Sequence, residues 1–221
     1  MPTDFGAWFD ANFAATPVMA ILRGHDPART VELSTLAWDL GIEHVEVPIQ
    51  TPDAVPSLRA AIAAGAERGK GVGAGTVIDA DQLRTAAEAG VTFTVAPGLD
   101  PAIVAAGREA GIPHLPGVAT PSEVQRALSL GLTWVKAFPA TVLGTAWFRA
   151  VAAPFPGVRL VATGGVDAET APDYLAAGAR VVAVGAALED PAQLPRLAAL
   201  VRERTRDRPG GEPPSRRAAT P

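Results

Sequence analysis

Two residues of opposite charge sit where a charge is hard to keep. Lys136 lies inside the apolar run Trp134-Val-Lys-Ala-Phe-Pro139, and Glu46 lies between Val45 and Val47. Lys70 and Lys136 are the only lysines among the nineteen Lys and Arg of the chain, so a lysine at 136 stands out from an arginine-rich surface. Burial disfavours an ammonium and lowers its pKa toward the range where the free amine is a nucleophile. Alternate side chains of a strand face opposite ways, so Val45 and Val47 turn to one side and Glu46 to the other. An amine that condenses with a ketone and a carboxyl group that shuttles protons are the combination imine chemistry requires. Two plainer readings stand beside this one. Lys136 could snorkel from a strand edge to solvent, and Glu46 could be a structural partner for an arginine such as Arg23.

Arg23 closes the run Ala20-Ile-Leu-Arg-Gly24, where a guanidinium fork would suit a substrate carboxylate. Three glycine-rich turns add to the set. In Gly73-Ala-Gly75-Thr76 the missing side chains would let backbone approach a ligand, and the Thr76 hydroxyl offers a hydrogen bond. Thr163-Gly164-Gly165 and Gly185-Ala186-Ala187 follow the last two strand candidates, where many barrels bind phosphate through backbone N–H groups. A Gly-Gly pair is also an ordinary tight turn. His25, His44 and His114 lack metal-ligand spacing and the chain has no cysteine, so no metal site and no disulfide is expected. His44 and His114 read as strand-entry residues, and His25 as a loop residue near the mouth of the site.

Positioning these groups falls to a repeated pattern. An N-cap residue followed by proline recurs at Asp26-Pro27, Thr51-Pro52, Asp100-Pro101, Thr120-Pro121 and Asp190-Pro191, and Asp167 reads as the cap of a helix starting near Ala168. Helical stretches end near Gly41, Gly90, Gly111, Gly131 and Gly178, each followed by a short β-branched or aromatic run. The strand candidates are Val18–Leu22, His44–Pro48, Gly71–Ala74, Phe93–Ala96, His114–Gly117, Trp134–Phe138, Arg159–Thr163 and Val181–Val184. Eight strands alternating with helices, without hairpin signals, predict a (β/α)8 TIM barrel in the α/β class. Phe5, Trp8, Phe9 and Phe13 at helical spacing predict an extra N-terminal helix packed on the barrel base. Residues 1–204 are expected to form one barrel domain, and the Arg-, Pro- and Gly-rich residues 205–221 a disordered tail.

A net charge of −4 gives no reason to expect a nucleic acid or an anionic membrane as partner. Residues 1–15 lack the basic run and apolar stretch of a signal peptide, and no later segment has the ~20 apolar residues of a membrane span. A cytoplasmic location is the expectation.

The ordered succession Ala20-Ile-Leu-Arg23-Gly, Val45-Glu46-Val-Pro, Gly73-Ala-Gly75-Thr76-Val, Val95-Ala-Pro97-Gly, Leu115-Pro116-Gly-Val, Val135-Lys136-Ala-Phe138-Pro and Ala162-Thr163-Gly164-Gly165-Val resembles the 2-keto-3-deoxy-6-phosphogluconate / 4-hydroxy-2-oxoglutarate aldolase family. The resemblance implies that Lys136 is the Schiff-base lysine and Glu46 the general acid/base. It further implies that Arg23 and Thr76 bind the pyruvate carboxylate, that Gly75, Pro97, Pro116 and Phe138 line the pocket, and that Gly164 and Gly165, with Thr163 and Gly185, meet a distal phosphate. A homotrimer without a metal or other cofactor is the implied assembly. Two positions depart from the pattern. Ala186 stands where many members carry serine, which leaves a phosphate to backbone groups. Gln50 stands where some carry arginine, which leaves Arg23 as the main carboxylate anchor and brings Glu46–Pro52 closer to the phosphogalactonate branch.

The expected activity is therefore reversible cleavage of a 2-keto-3-deoxy sugar acid, commonly its 6-phosphate, and also of 4-hydroxy-2-oxoglutarate, to pyruvate and an aldehyde. A phosphate-binding barrel isomerase or synthase without imine chemistry and a catalytically silent sugar-phosphate-binding barrel are the rivals.

Overall fold

A computed structural model describes residues 4–13 and 16–206 of the chain. Its strands are β1 (Val18–Ile21), β2 (His44–Pro48), β3 (Val72–Gly75), β4 (Phe93–Val95), β5 (His114–Leu115), β6 (Gly117–Val118), β7 (Trp134–Ala137), β8 (Arg159–Thr163) and β9 (Ala179–Val184). All pair in parallel, in the order β5-β4-β3-β2-β1-β9-β8-β7-β6. This is the TIM-barrel-like α/β fold that the alternation predicts.

The expected strand His114–Gly117 is found as two pieces, and Pro116 is the reason. A proline has no N–H for the ladder. Its carbonyl still accepts from Lys136 N at 2.8 Å, and Gly117 N donates to Gly98 O at 3.0 Å. The two ends of the sheet are thus halves of one interrupted strand, and hydrogen bonds carry the barrel across the break. β2 and β7 lie four places apart in the strand order, which puts them on opposite walls of an eight-position barrel.

Helices surround the sheet: α2 (Pro27–Asp39), α3 (Val55–Glu67), α4 (Ala80–Ala89), α5 (Pro101–Ala110), α6 (Pro121–Ser129), α7 (Ala140–Ala152), α8 (Ala171–Ala176) and α9 (Leu194–Arg206). Asp26, Asp79, Asp100 and Thr120 accept from backbone N–H groups of the first turns, and Thr120 with Glu123 completes a capping box. Gly41, Gly90, Gly111, Gly131 and Gly178 all take the left-handed conformation that ends a helix.

Three expected helix starts differ. Thr51-Pro52 opens a 3-10 turn at Pro52–Ala54 with no side-chain cap bond. Asp190 holds Ala192 N and Gln193 Nε2 in a turn, and α9 begins only at Leu194. Asp167 accepts from Glu169 N and Thr170 N and so shapes the turn before α8 rather than its cap. In both late cases the carboxylate satisfies a local Asx-type turn, which competes with helix initiation. The expected tail starts inside α9, which runs to Arg206, and its remaining residues lie outside the described ones.

The N-terminal helix α1 (Phe5–Phe13) closes the barrel floor. Phe13 stacks on His44 with ring centroids 4.2 Å apart and meets Phe93 edge-on at 5.4 Å, while Phe9 packs on Trp134 at 6.1 Å. His44, Phe93 and Trp134 are the first residues of β2, β4 and β7. Asp10 accepts from Trp134 Nε1 at 2.8 Å and pairs with Arg159, which ties the helix to two strands. With its floor sealed by aromatic rings, the barrel is left open to chemistry at the other end.

Candidate active site

The strands place both expected charges in the barrel wall, facing inward one layer above the aromatic floor. Glu46 is fully buried and Lys136 is 2% exposed, and they are the only Asp, Glu, Lys or Arg buried among the described residues. The snorkelling reading of Lys136 therefore fails. So does the reading of Glu46 as a partner for Arg23. The Arg23 guanidinium donates to Gln50 Oε1 at 3.1 Å and to Thr76 Oγ1 at 3.2 Å, while neither carboxylate oxygen of Glu46 receives a hydrogen bond from the protein.

Lys136 and Glu46 form no salt bridge within 4.0 Å. Their location on opposite walls explains it, since the interior stands between them. Each nonetheless feels the other. Burial pushes the Glu46 carboxyl above its ordinary 4.5, opposed by the positive charges of Lys136 and Arg23. Burial pulls the Lys136 amine below 10.5, opposed by Glu46 and aided by Arg23. Both shifts favour the neutral forms, a free amine and a protonated acid.

Two features of β3 hold this arrangement. Gly75 has no Cβ, and one there would stand 1.8 Å from Glu46 Oε1, so glycine provides the room the carboxylate occupies. Gly73 does the same for the Phe93 ring, at 2.4 Å. The space these glycines leave is thus used by side chains inside the barrel. Next in the chain, Thr76 has φ +58°, a left-handed conformation that is unfavourable for a β-branched residue. The turn so strained delivers the Thr76 hydroxyl to Arg23.

A cavity of about 320 Å³ opens over Lys136. Ile21, Arg23, Lys136 and Phe138 line it together with His25, Thr163, Gly164, Gly185, Ala186 and Glu189. Lys136 Nζ stands 5.1 Å from the centroid of the Phe138 ring, and a Cβ on Gly164 would come within 3.1 Å of that ring, so glycine lets the β8 turn close over Phe138. Thr163 Oγ1 is buried without a partner. His25 lies at the mouth as expected, with Nε2 3.6 Å from Glu189 Oε1.

Not every expected pocket residue gathers here. Pro97 lines a neighbouring cavity of about 270 Å³ with Ile78 and His114, and Pro116 serves as the break in the barrel wall. Gly165 packs toward Thr141, whose hydroxyl a Cβ would meet at 2.8 Å. Gln50 reaches the site through its bond to Arg23. Glu189 joins the site without a signal in the sequence. It ends the 3-10 turn Ala186–Leu188, and in sequence a glutamate in Leu-Glu-Asp-Pro looks like any solvated loop charge. Among the described residues no group of three or more His, Asp or Glu is placed to hold a metal ion.

Comparison with known proteins matches residues 9–198 to the family model of KDPG and KHG aldolase. The chain belongs to this family. It is 34% identical to a probable 2-dehydro-3-deoxy-6-phosphogalactonate aldolase of Rhizobium meliloti strain 1021, over 79% of this chain and 82% of that one. Two solved KDPG aldolases superpose on this family member along most of their length. That of Zymomonas mobilis ZM4, crystallised with 3-phosphoglycerate, is 32% identical with TM-score 0.76 and covers 89% of this chain and 94% of its own. That of Legionella pneumophila holds pyruvate captured at low pH as a covalent carbinolamine intermediate. It is 28% identical with TM-score 0.76, covering 92% of this chain and 98% of its own.

Proposed function

We propose that this KDPG/KHG-type aldolase cleaves 2-keto-3-deoxy sugar acids, the 6-phosphates among them, to pyruvate and an aldehyde through an imine on Lys136. The observation that carries the reading is the isolated buried pair: an amine and a carboxyl group inside one barrel, both biased toward their neutral forms and both within the electrostatic reach of each other and of Arg23.

Arg23, with Thr76 beside it, binds the substrate carboxylate and brings C2 to the amine. Lys136 Nζ attacks the C2 carbonyl carbon to give a carbinolamine. Glu46 donates its proton to the departing hydroxyl, which leaves as water, and an iminium ion and a carboxylate result. The carboxylate, directly or through a water, then removes the C4 hydroxyl proton. The C3–C4 bond breaks, its electron pair moves into the iminium to form an enamine, and the aldehyde departs. Glu46 returns the proton to C3, and water adds to the iminium and expels the free amine with pyruvate, the proton lost from that water going to the Glu46 carboxylate, which restores the acid. The imine is the electron sink, so the sequence of steps calls on no further cofactor.

Thr163, Gly164, Gly165, Gly185 and Ala186, from the turns after β8 and β9, are the proposed contacts of the aldehyde half. A homotrimer in the cytoplasm is the proposed setting, and among the described residues no helix is long and apolar enough to cross a membrane. The direct test is borohydride reduction in the presence of pyruvate, followed by mass spectrometry. A stable adduct on Lys136, lost in Lys136→Ala, is the expected result. An isomerase or synthase using Lys136 only as a charge, or a binding-only barrel, would leave no adduct.

A further inference from the structure

The cavity over Lys136 has a charge balance of its own. Of the cations that line the cavity, Arg23 is bonded to Gln50 and Thr76 and is assigned above to the pyruvate carboxylate, and Lys136 is buried. The other polar side chains of the lining are His25, Thr163 and Glu189, beside Gly164, Gly185 and Ala186. Glu189 is held in place from two sides. Its Oε1 stands 3.6 Å from His25 Nε2, and its Oε2 stands 3.5 Å from Arg29 NH2. Arg29 is itself shared with Glu32 at 2.8 Å, so its charge is divided between two carboxylates.

A carboxylate in a ligand cavity discourages a second anion and accepts hydrogen bonds from hydroxyl groups. Thr163 also lines this cavity, and its buried hydroxyl has no hydrogen-bond partner in the protein. The three-residue 3-10 turn at Ala186–Leu188 is too short to supply a helix dipole against the Glu189 charge. Ala186 offers no side-chain donor.

Resting on the aldolase reading above, we infer that Glu189 is a specificity-determining residue that accepts hydrogen bonds from a terminal hydroxyl of the aldehyde half. By it the site takes unphosphorylated 2-keto-3-deoxy sugar acids as a substrate class in addition to the phosphates. His25 and Arg29 act as positioning residues for that carboxylate.

The test measures kcat/KM for pyruvate release from one 2-keto-3-deoxy sugar acid with and without its 6-phosphate, in the wild type and in Glu189→Gln. The ratio of the two constants cancels any change in the fraction of folded enzyme. For the wild type we expect the phosphate to be favoured by less than about tenfold. In Glu189→Gln the repulsion is removed and the acceptor weakened, so the ratio rises toward phosphate by about tenfold. A wild-type preference for phosphate above about tenfold overturns the inference, as does a ratio that Glu189→Gln leaves in place. Borohydride trapping of pyruvate separates the two levels, because pyruvate has no aldehyde half. If the adduct forms and the ratios are wrong, this inference alone falls. If no adduct forms on Lys136, the aldolase reading falls with it.

Discussion

The carboxylate of Glu46 fills the space where a side chain on Gly75 would begin, with Oε1 1.8 Å from the position of a Cβ. The two residues stand on paired strands, with Glu46 opposite Gly73 and Pro48 opposite Gly75, so glycine at the end of β3 decides where the acid group can point. Gly75→Ala is expected to displace the carboxylate while leaving the backbone of β3 unstrained, since Gly75 has no positive φ. Pyruvate release should fall by roughly a hundredfold or more, mainly in kcat, with an unchanged circular dichroism spectrum. Activity within a few-fold of wild type would mean that Glu46 works from another rotamer.

Arg23 donates from two different nitrogens to Gln50 and Thr76, which fixes the plane of its guanidinium at the cavity wall. A lysine keeps the charge but has neither the plane nor the fork. Arg23→Lys should therefore raise KM for the keto acid about 10- to 100-fold, the range expected for losing a charge-assisted hydrogen bond. Pyruvate affinity, followed by the rate of borohydride trapping against pyruvate concentration, should weaken in parallel. A change confined to kcat would place Arg23 at a later step.

Much of this was legible in the chain itself, because each signal is local. Asp or Thr before proline, glycine after a helix and short β-branched runs report the helix and strand ends directly, and Lys136 and Glu46 stand out because charge in an apolar strand is costly. What was hidden depends on distant residues meeting. Nothing at Gly75 announces that its missing Cβ makes room for a side chain from β2. Nothing near Glu189 announces that its loop folds over Lys136, some fifty residues earlier in the chain. Asp190-Pro191 carries the same cap signal as Asp26-Pro27, and only its own local hydrogen bonds turn it into a turn.

Phe13 shows how the N-terminal helix stabilises a barrel to whose sheet it contributes no strand. Its ring is fully buried, stacked on His44 and edge-on to Phe93 and Trp134. Phe13→Ala removes these contacts and leaves a void under the barrel, at a cost of about 3–5 kcal/mol. Urea unfolding should show that loss, while kcat/KM of the folded fraction stays near wild type because the floor lies a full layer below Lys136. A matching fall in kcat/KM would show that the floor also positions the amine.

The same burial that prepares Glu46 and Lys136 for chemistry should destabilise the fold, and pH can show it. Below 4.5 the Glu46 carboxyl is protonated in the folded and unfolded chain alike. As pH rises past 4.5 the unfolded chain ionises freely and the buried acid resists up to its own higher pKa, so the folded state loses stability across that window. Lys136 runs the other way. Above 10.5 its amine is neutral in both states, and as pH falls from 10.5 to its lowered folded pKa the unfolded chain gains a proton that the folded chain refuses. Glu46→Gln is thus expected to gain stability over wild type as pH is raised from 4.5, by about 1.4 kcal/mol for each unit that the folded pKa is raised. Lys136→Met should show its advantage shrinking as pH climbs toward 10.5. Urea titrations across pH check both, and parallel curves for wild type and variants would mean that neither group is held against its charge, which removes the physical basis for a nucleophilic amine at 136.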